Sequence, residues 1–237
     1  MKNLTKTLYF IGAMLIANHS QALIIDSFND ATPQTVSNPG AYMSTLPGTM
    51  LGGFRHLEIV SSSGPLSTSA SVITTASSGI LAHSEDVGTS GVSRVTWNAN
   101  GTGLGGINLT QGSFSDAFLL DNLSVDQGSL EVKIGVIDTS VNTAYYTLPN
   151  ITNTNTLNNT LISASFSSFF NFSNTDFTSV NEIYLEIKAS QESDVTLNEI
   201  RTTDGTLVTD VPEPATFLLM GAGLVGLIGL RRRKIAK

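Results

Sequence analysis

From Leu130 to Val136 the chain alternates without a break: Leu130, Val132, Ile134 and Val136 are apolar, with Glu131, Lys133 and Gly135 between them. Ile183, Leu185 and Ile187 alternate in the same way with Glu182, Tyr184, Glu186 and Lys188. A period of two sends one set of side chains to each face of a strand. The 3.6-residue period of a helix is nearly absent between residues 23 and 210, which restricts this stretch to half-buried, antiparallel sheet. Further strands are expected at 23–28, 56–61, 70–75, 92–97, 118–125, 143–148, 161–166 and 194–202. Turn-forming clusters separate them, as at 98–103 and at Asp126-Gln127-Gly128. About ten short strands with turns between them predict a sandwich or barrel. The chain has no cysteine, so its core forms without disulfides and no thiolate is available for a metal or a nucleophile.

Both ends break this pattern. Lys2 and Lys6 precede an apolar run from Leu8 to Ala17, and Ser20-Gln21-Ala22 places small residues at −3 and −1 of a cut between Ala22 and Leu23. Residues 1–22 therefore read as a secretory signal peptide. At the other end, Val211-Pro212-Glu213-Pro214 leads into the uncharged segment 215–230, which holds Gly221, Gly223, Gly226 and Gly229. As a helix, these sixteen residues span roughly 24 Å, near the lower limit for a hydrocarbon core. Arg231, Arg232, Arg233, Lys234 and Lys237 follow and form a basic stop that stays cytoplasmic. Three parts are expected: a signal at 1–22, a β-sandwich at 23–210 and a tail at 211–237 with a transmembrane helix at 215–230 and a basic end at 231–237.

A Val-Pro-Glu-Pro motif, a glycine-rich apolar helix and an arginine-rich end, in that order, resemble the PEP-CTERM sorting tail of exported bacterial proteins. The resemblance implies an exosortase as partner: it cuts near Pro212-Glu213-Pro214 and passes the body from the inner membrane to the cell surface or the exopolysaccharide matrix of a Gram-negative bacterium. The two prolines fix φ and remove backbone donors, which keeps the segment extended and open to such an enzyme.

Without the two ends, the body from residue 23 to 210 has five basic residues, Arg55, Arg94, Lys133, Lys188 and Arg201, against eighteen acidic ones, a net charge of −13. Nucleic acid is excluded as a partner, because phosphate binding needs clustered cations.

The first expected strand and the last stand at opposite ends of the body, an arrangement that suits the paired terminal strands of a jelly roll. Ile25-Asp26-x-Phe28, Gly52-Gly53-x-Arg55-x-Leu57, Val95-x-Trp97 and Asp176-Phe177-Thr178-x-Val180 look like the galactose-binding-like jelly rolls that often carry PEP-CTERM tails, with Phe54 departing from the pattern. The expected fold class is all-β: an antiparallel jelly-roll sandwich flanked by a signal helix and a transmembrane helix.

Residues for catalysis are sparse. His56 and His83 form no metal-binding pattern, and His56 reads as an ordinary strand residue. The glycine-rich segment 101–106 lacks the Lys-Ser/Thr of a phosphate loop and reads as a sheet turn. Asp116 with Asp121, Glu182 with Glu186, and Asp194 with Glu199 are carboxylate pairs by proximity alone. Asp26, Asp194, Asn198 and Glu199 would meet if the terminal strands pair, and could then hold a structural calcium ion. Trp97, Arg94, Tyr145 and Tyr146 are the candidate glycan contacts, although its strand position favours the core for Trp97. Phe166, Phe169, Phe170, Phe172 and Phe177 read as core. The expectation is a non-catalytic surface or exopolysaccharide-matrix protein, with a carbohydrate-binding module carrying a structural calcium as the alternative. An enzyme acting on polysaccharide ranks third.

Overall fold

The computed structural model describes residues 22–30, 33–37, 41–43, 50–64, 72–77, 79–149, 151–152 and 161–204. The signal helix, the transmembrane helix at 215–230, the sorting motif Val211–Pro214 and the basic end lie outside the described residues. In chain order the strands are β1 Ile24–Asp26, β2 Gln34–Ser37, β3 Ala41–Met43, β4 His56–Ser63, β5 Val72–Ser77, β6 Ile80–Glu85, β7 Ser90–Trp97, β8 Ala117–Asp121, β9 Ser124–Val125, β10 Ser129–Asp138, β11 Thr143–Thr147, β12 Ile151–Thr152, β13 Ile162–Ser165, β14 Val180–Ala189, β15 Asp194–Leu197 and β16 Glu199–Thr203. Every pairing is antiparallel. No helix among the described residues is long and apolar enough to cross a membrane.

One layer is a seven-stranded sheet in the order β11-β10-β14-β7-β4-β3, with β12 continuing the edge beside β10. The alternation read from sequence fills its inner face: Val132, Ile134 and Val136 of β10, Ile183, Leu185 and Ile187 of β14, and Val95 and Trp97 of β7 are buried. Burying each such large side chain is worth about 1.5–3 kcal/mol, which is what holds this layer against the other.

The other layer consists of the sheets β1-β16-β8-β13 and β2-β5-β6-β15-β9, which run into one another. Val195 faces Val125 in one and Ile200 faces Leu120 in the other, so the pairing keeps one register across the break. The buried phase flips there: Leu123, Val125, Val195 and Leu197 point inward on one side, and Phe118, Leu120, Ile200 and Thr202 on the other. Asn122, left-handed at φ 57°, makes the turn in one strand, and the N–H of Asn198 still reaches the carbonyl of Asp121 at 3.0 Å in the other. The expected strands at 118–125 and 194–202 are therefore each divided in two, into β8 and β9 and into β15 and β16, across a bend that keeps the register. The expected strands do not include β2, β3, β6 and β12.

The terminal strands pair as expected for a jelly roll. Ile24 faces Arg201 and Asp26 faces Ile200, with a bulge between. The N–H of Leu23 donates to Thr202 Oγ1 at 3.1 Å, which places the expected cut beside the last strand. The bulge turns Ile25 and Asp26 inward together, where regular alternation would expose one of them.

At the end of β10, Asp138 ties a loop. Its Oδ1 accepts the N–H groups of Ser140 and Asn142 at 2.8 and 2.9 Å, and its Oδ2 accepts Asn142 Nδ2 and the N–H of Asp176, each at 3.0 Å. Burial pushes this carboxyl up, but the bonds from Asn142, Asp176 and Ser140 outweigh it and hold the group below its usual range. A depressed folded pKa adds stability above the unfolded value of about 3.9, and this stability is lost as the pH falls through the folded one. The melting temperature is expected to fall with acidification in that window. Asp138→Asn, which cannot ionise, should lower the melting temperature at neutral pH and flatten the acid dependence.

Candidate functional site

The solvent face of the seven-stranded sheet carries the exposed phase of the same alternation. In one row Lys133 opposes Glu186, Glu186 opposes Arg94, and Arg94 opposes Glu58, so charges alternate across four strands. Glu186 is held from both sides. Its Oε1 accepts from Arg94 Nε at 3.0 Å and its Oε2 from Lys133 Nζ at 2.9 Å. Burial pushes the Glu186 carboxyl up, and the two cations bring it below its usual range. Both cations are thereby spent within the sheet.

In the next row Tyr145, Gly135, Tyr184 and Thr96 lie side by side. Gly135 is cleared space. A Cβ there would lie 2.0 Å from Tyr184 Cζ and 2.4 Å from its oxygen, so the tyrosine ring lies across the glycine. The Arg94 guanidinium stands 5.1 Å from the centre of that ring, and Lys133 Nζ 5.8 Å from the ring of Tyr145. Burial, and then the charge of Glu186, raise the Tyr184 phenol above its usual range, so it remains a hydrogen-bond donor.

Phe170 extends the strip past the sheet edge. Its backbone pairs with that of Tyr145, through N–H to carbonyl bonds of 2.8 and 3.3 Å. The residue is 67% exposed, and its ring lies 5.2 Å from that of Tyr145, a residue 36% exposed. Tyr184, Tyr145 and Phe170 together make an open aromatic strip bordered by charged and hydroxylated side chains.

Only part of the sequence-based site is here. Arg94 and Tyr145 both lie on this face, with β14 and β10 between their strands. Tyr146 is half-buried, and its ring stacks 5.8 Å from that of Phe169. Trp97 is not a glycan contact: it has no exposed surface, and its Nε1 donates to Asp26 Oδ2 at 2.8 Å. The phenylalanine group divides too. Phe166, Phe169 and Phe177 are core, whereas Phe170 and Phe172 are exposed.

The four calcium candidates are not brought together. Asp26 is buried, and Arg55 Nη1 donates to its Oδ2 at 2.6 Å. Asp194 is exposed and lies six residues along the strand from Ile200, the partner of Asp26, or about 20 Å at ~3.3 Å per residue. Glu199 pairs with Arg201, and Asn198 sits at the bend of the strand. No group of three or more His, Asp or Glu among the described residues could hold a metal ion.

Part of the jelly-roll-like motifs converges in the core, whereas Gly52, Asp176 and Thr178 are exposed. Asp26, Phe28, Arg55 and Trp97 form one buried cluster: Arg55 Nε donates to Gln34 Oε1 at 2.9 Å, Nη2 pairs with Asp30, and the guanidinium lies 5.3 Å from the centre of the Phe28 ring. Phe28 is left-handed at φ 51°, held there by its N–H to Asp26 Oδ1 at 2.7 Å and by Gly79 N–H to its carbonyl at 2.9 Å. A second buried chain links the layers: Ser93 Oγ lies 3.0 Å from His83 Nδ1, and His83 Nε2 lies 3.1 Å from Glu85 Oε1. It has the order of a catalytic triad, but Ser93 and His83 have no exposed surface, so no substrate reaches the hydroxyl.

The PEP-CTERM protein-sorting motif matches residues 210–234. That motif marks an exported protein, anchored in a membrane before processing. No curated protein matches the chain. Among solved structures, the chain resembles the family 11 carbohydrate-binding module of a cellulosomal cellulase of Clostridium thermocellum, at 11% identity over 77% of this chain and 95% of that one, with a TM-score of 0.37. The Clostridium thermocellum family 11 module in complex with a β-1,3-1,4-mixed-linked tetrasaccharide gives 14%, 76%, 94% and 0.38. An agarase gives 13%, 77%, 24% and 0.42.

Proposed function

We propose that the protein is a non-catalytic saccharide-binding component of the cell surface or exopolysaccharide matrix, released to it by an exosortase that cuts near Pro212-Glu213-Pro214. The open strip of Tyr184, Tyr145 and Phe170 carries the binding reading. Pyranose rings have an apolar C–H face that lies on such rings, and neighbouring polar groups fix its orientation. Arg94 and Lys133 are balanced by Glu186 between them and Glu58 opposite Arg94, and the body carries −13, so the ligand is an uncharged polysaccharide rather than an anionic one. The reading needs no cofactor.

The test is the intact mass of the protein recovered from its host, with the fraction recorded. A product that starts at Leu23, ends near Pro212 and is retained with the extracellular polysaccharide supports the proposal, and the Tyr184→Ala product should then be found free in the medium. A product that keeps Arg231–Arg233 in the inner membrane contradicts it. Gly135→Ala checks the geometry independently. The added methyl displaces the Tyr184 ring, so retention is expected to fall about as far as in Tyr184→Ala.

A further inference from the structure

The end of the sandwich where the chain leaves at Asp204 has a cleft of about 490 Å³ that the sheet face does not use. Its floor is phenyl. Phe166 and Phe177 are buried with ring centres 4.8 Å apart, and Phe172, 40% exposed, lies 5.4 Å from Phe177. Its rim is made of hydroxyls and carboxylates and is weighted towards acceptors. Thr178 Oγ1 donates to Asp176 Oδ1 at 2.6 Å and Thr110 Oγ1 to Asn108 Oδ1 at 2.7 Å, so these hydroxyls keep only lone pairs for a ligand. The main chain of Asp116 is engaged on both sides, by Thr203 and Phe166, whereas no hydrogen bond among the described residues reaches its carboxylate. Among the described residues, no Lys, Arg or His lines the cleft.

An apolar floor beneath an acceptor-rich, cation-free rim suits a ligand with one C–H face and several hydroxyl donors, and repels carboxylated or sulfated ones. We propose that this cleft is a second saccharide site, taking one or two uncharged sugar units independently of the sheet face. The segment 166–177 serves both sites, with Phe170 beside Tyr145 and Phe172 over the cleft. The proposal rests on the saccharide-binding reading for its class of ligand, but not for its location.

The test is calorimetric titration of the exported protein with cellobiose, lactose and mannobiose. Two sites are expected for at least one of these sugars. Tyr184→Ala should leave one, and Phe172→Ala or Asp116→Asn in that background should weaken it tenfold or more. The second substitution keeps the test valid should the first disturb folding. Loss of all binding in Tyr184→Ala overturns the cleft and leaves the sheet-face reading standing. A remaining site indifferent to Phe172 and Asp116 overturns it as well. Absence of sugar binding in the unmodified protein overturns both.

Discussion

Arg55→Met is expected to lower the unfolding free energy by about 3–5 kcal/mol, the usual cost of leaving a buried charge without its partner. Arg55 has no exposed surface, and its guanidinium serves Asp26, Gln34 and Asp30 while covering the Phe28 ring. Without it, Asp26 keeps only the Trp97 indole and the Phe28 N–H, in a site whose burial already pushes the carboxyl above its usual range. The cluster ties β1 to β4 and β7, so the loss should first free the N-terminal strand from β16. Urea unfolding gives the magnitude, and hydrogen exchange at Ile25 gives the location. Removing the pair together, as Asp26→Leu with Arg55→Met, should cost less than Arg55→Met alone, because the most deeply buried carboxylate is then gone and only Asp30, nearer the surface, loses its partner. A double variant as damaged as the single one would show that packing, not the stranded charge, sets the loss.

Tyr184→Ala is expected to weaken polysaccharide binding about 30-fold, which corresponds to ~2 kcal/mol for a central aromatic anchor. Tyr145→Ala and Phe170→Ala should do less, since these rings lie towards the edge of the strip and are more exposed. Tyr184 lies over Gly135 and beside Arg94, so its ring is fixed before a ligand arrives and little ordering entropy is lost on binding. Arg94→Ala should weaken binding by loosening that ring. Arg94→Lys should restore little, because an ammonium lacks the planar face that stacks on it. Melting temperatures of these variants should stay close to the unmodified value, which separates lost binding from lost fold.

The alternation in β10 and β14 was legible because each strand is buried on one face only. β2, β3 and β12 were not, since each is four residues or fewer and too short for a period to show. β6 was missed because His83 and Glu85 occupy its inward phase, with His83 Nδ1 held by Ser93 and Glu85 Oε1 by His83 and the Gly91 N–H, contacts that no local pattern reveals. Of the aromatic strip only Tyr145 stood among the candidate contacts, and Phe170, read as core, is exposed. Tyr184 stands in the exposed phase of its strand, and Gly135 in the exposed phase of another. What could not be read was the register that sets them opposite each other, since it depends on pairing between residues about fifty positions apart. The jelly-roll-like motifs marked residues that matter, but for stability: Asp26, Arg55 and Trp97 are brought together to close the terminal strand, and the same burial takes Asp26 from a calcium site and Trp97 from a glycan surface.

Affinity electrophoresis of the exported protein through gels containing neutral polysaccharides, mixed-linkage β-glucan and agarose among them, tests the central claim most directly. Retardation by at least one neutral polymer is expected, abolished by Tyr184→Ala and absent with polyanions such as alginate. Equal mobility in every gel, or retardation that persists undiminished in Tyr184→Ala and Gly135→Ala, would contradict a saccharide-binding role for the sheet face.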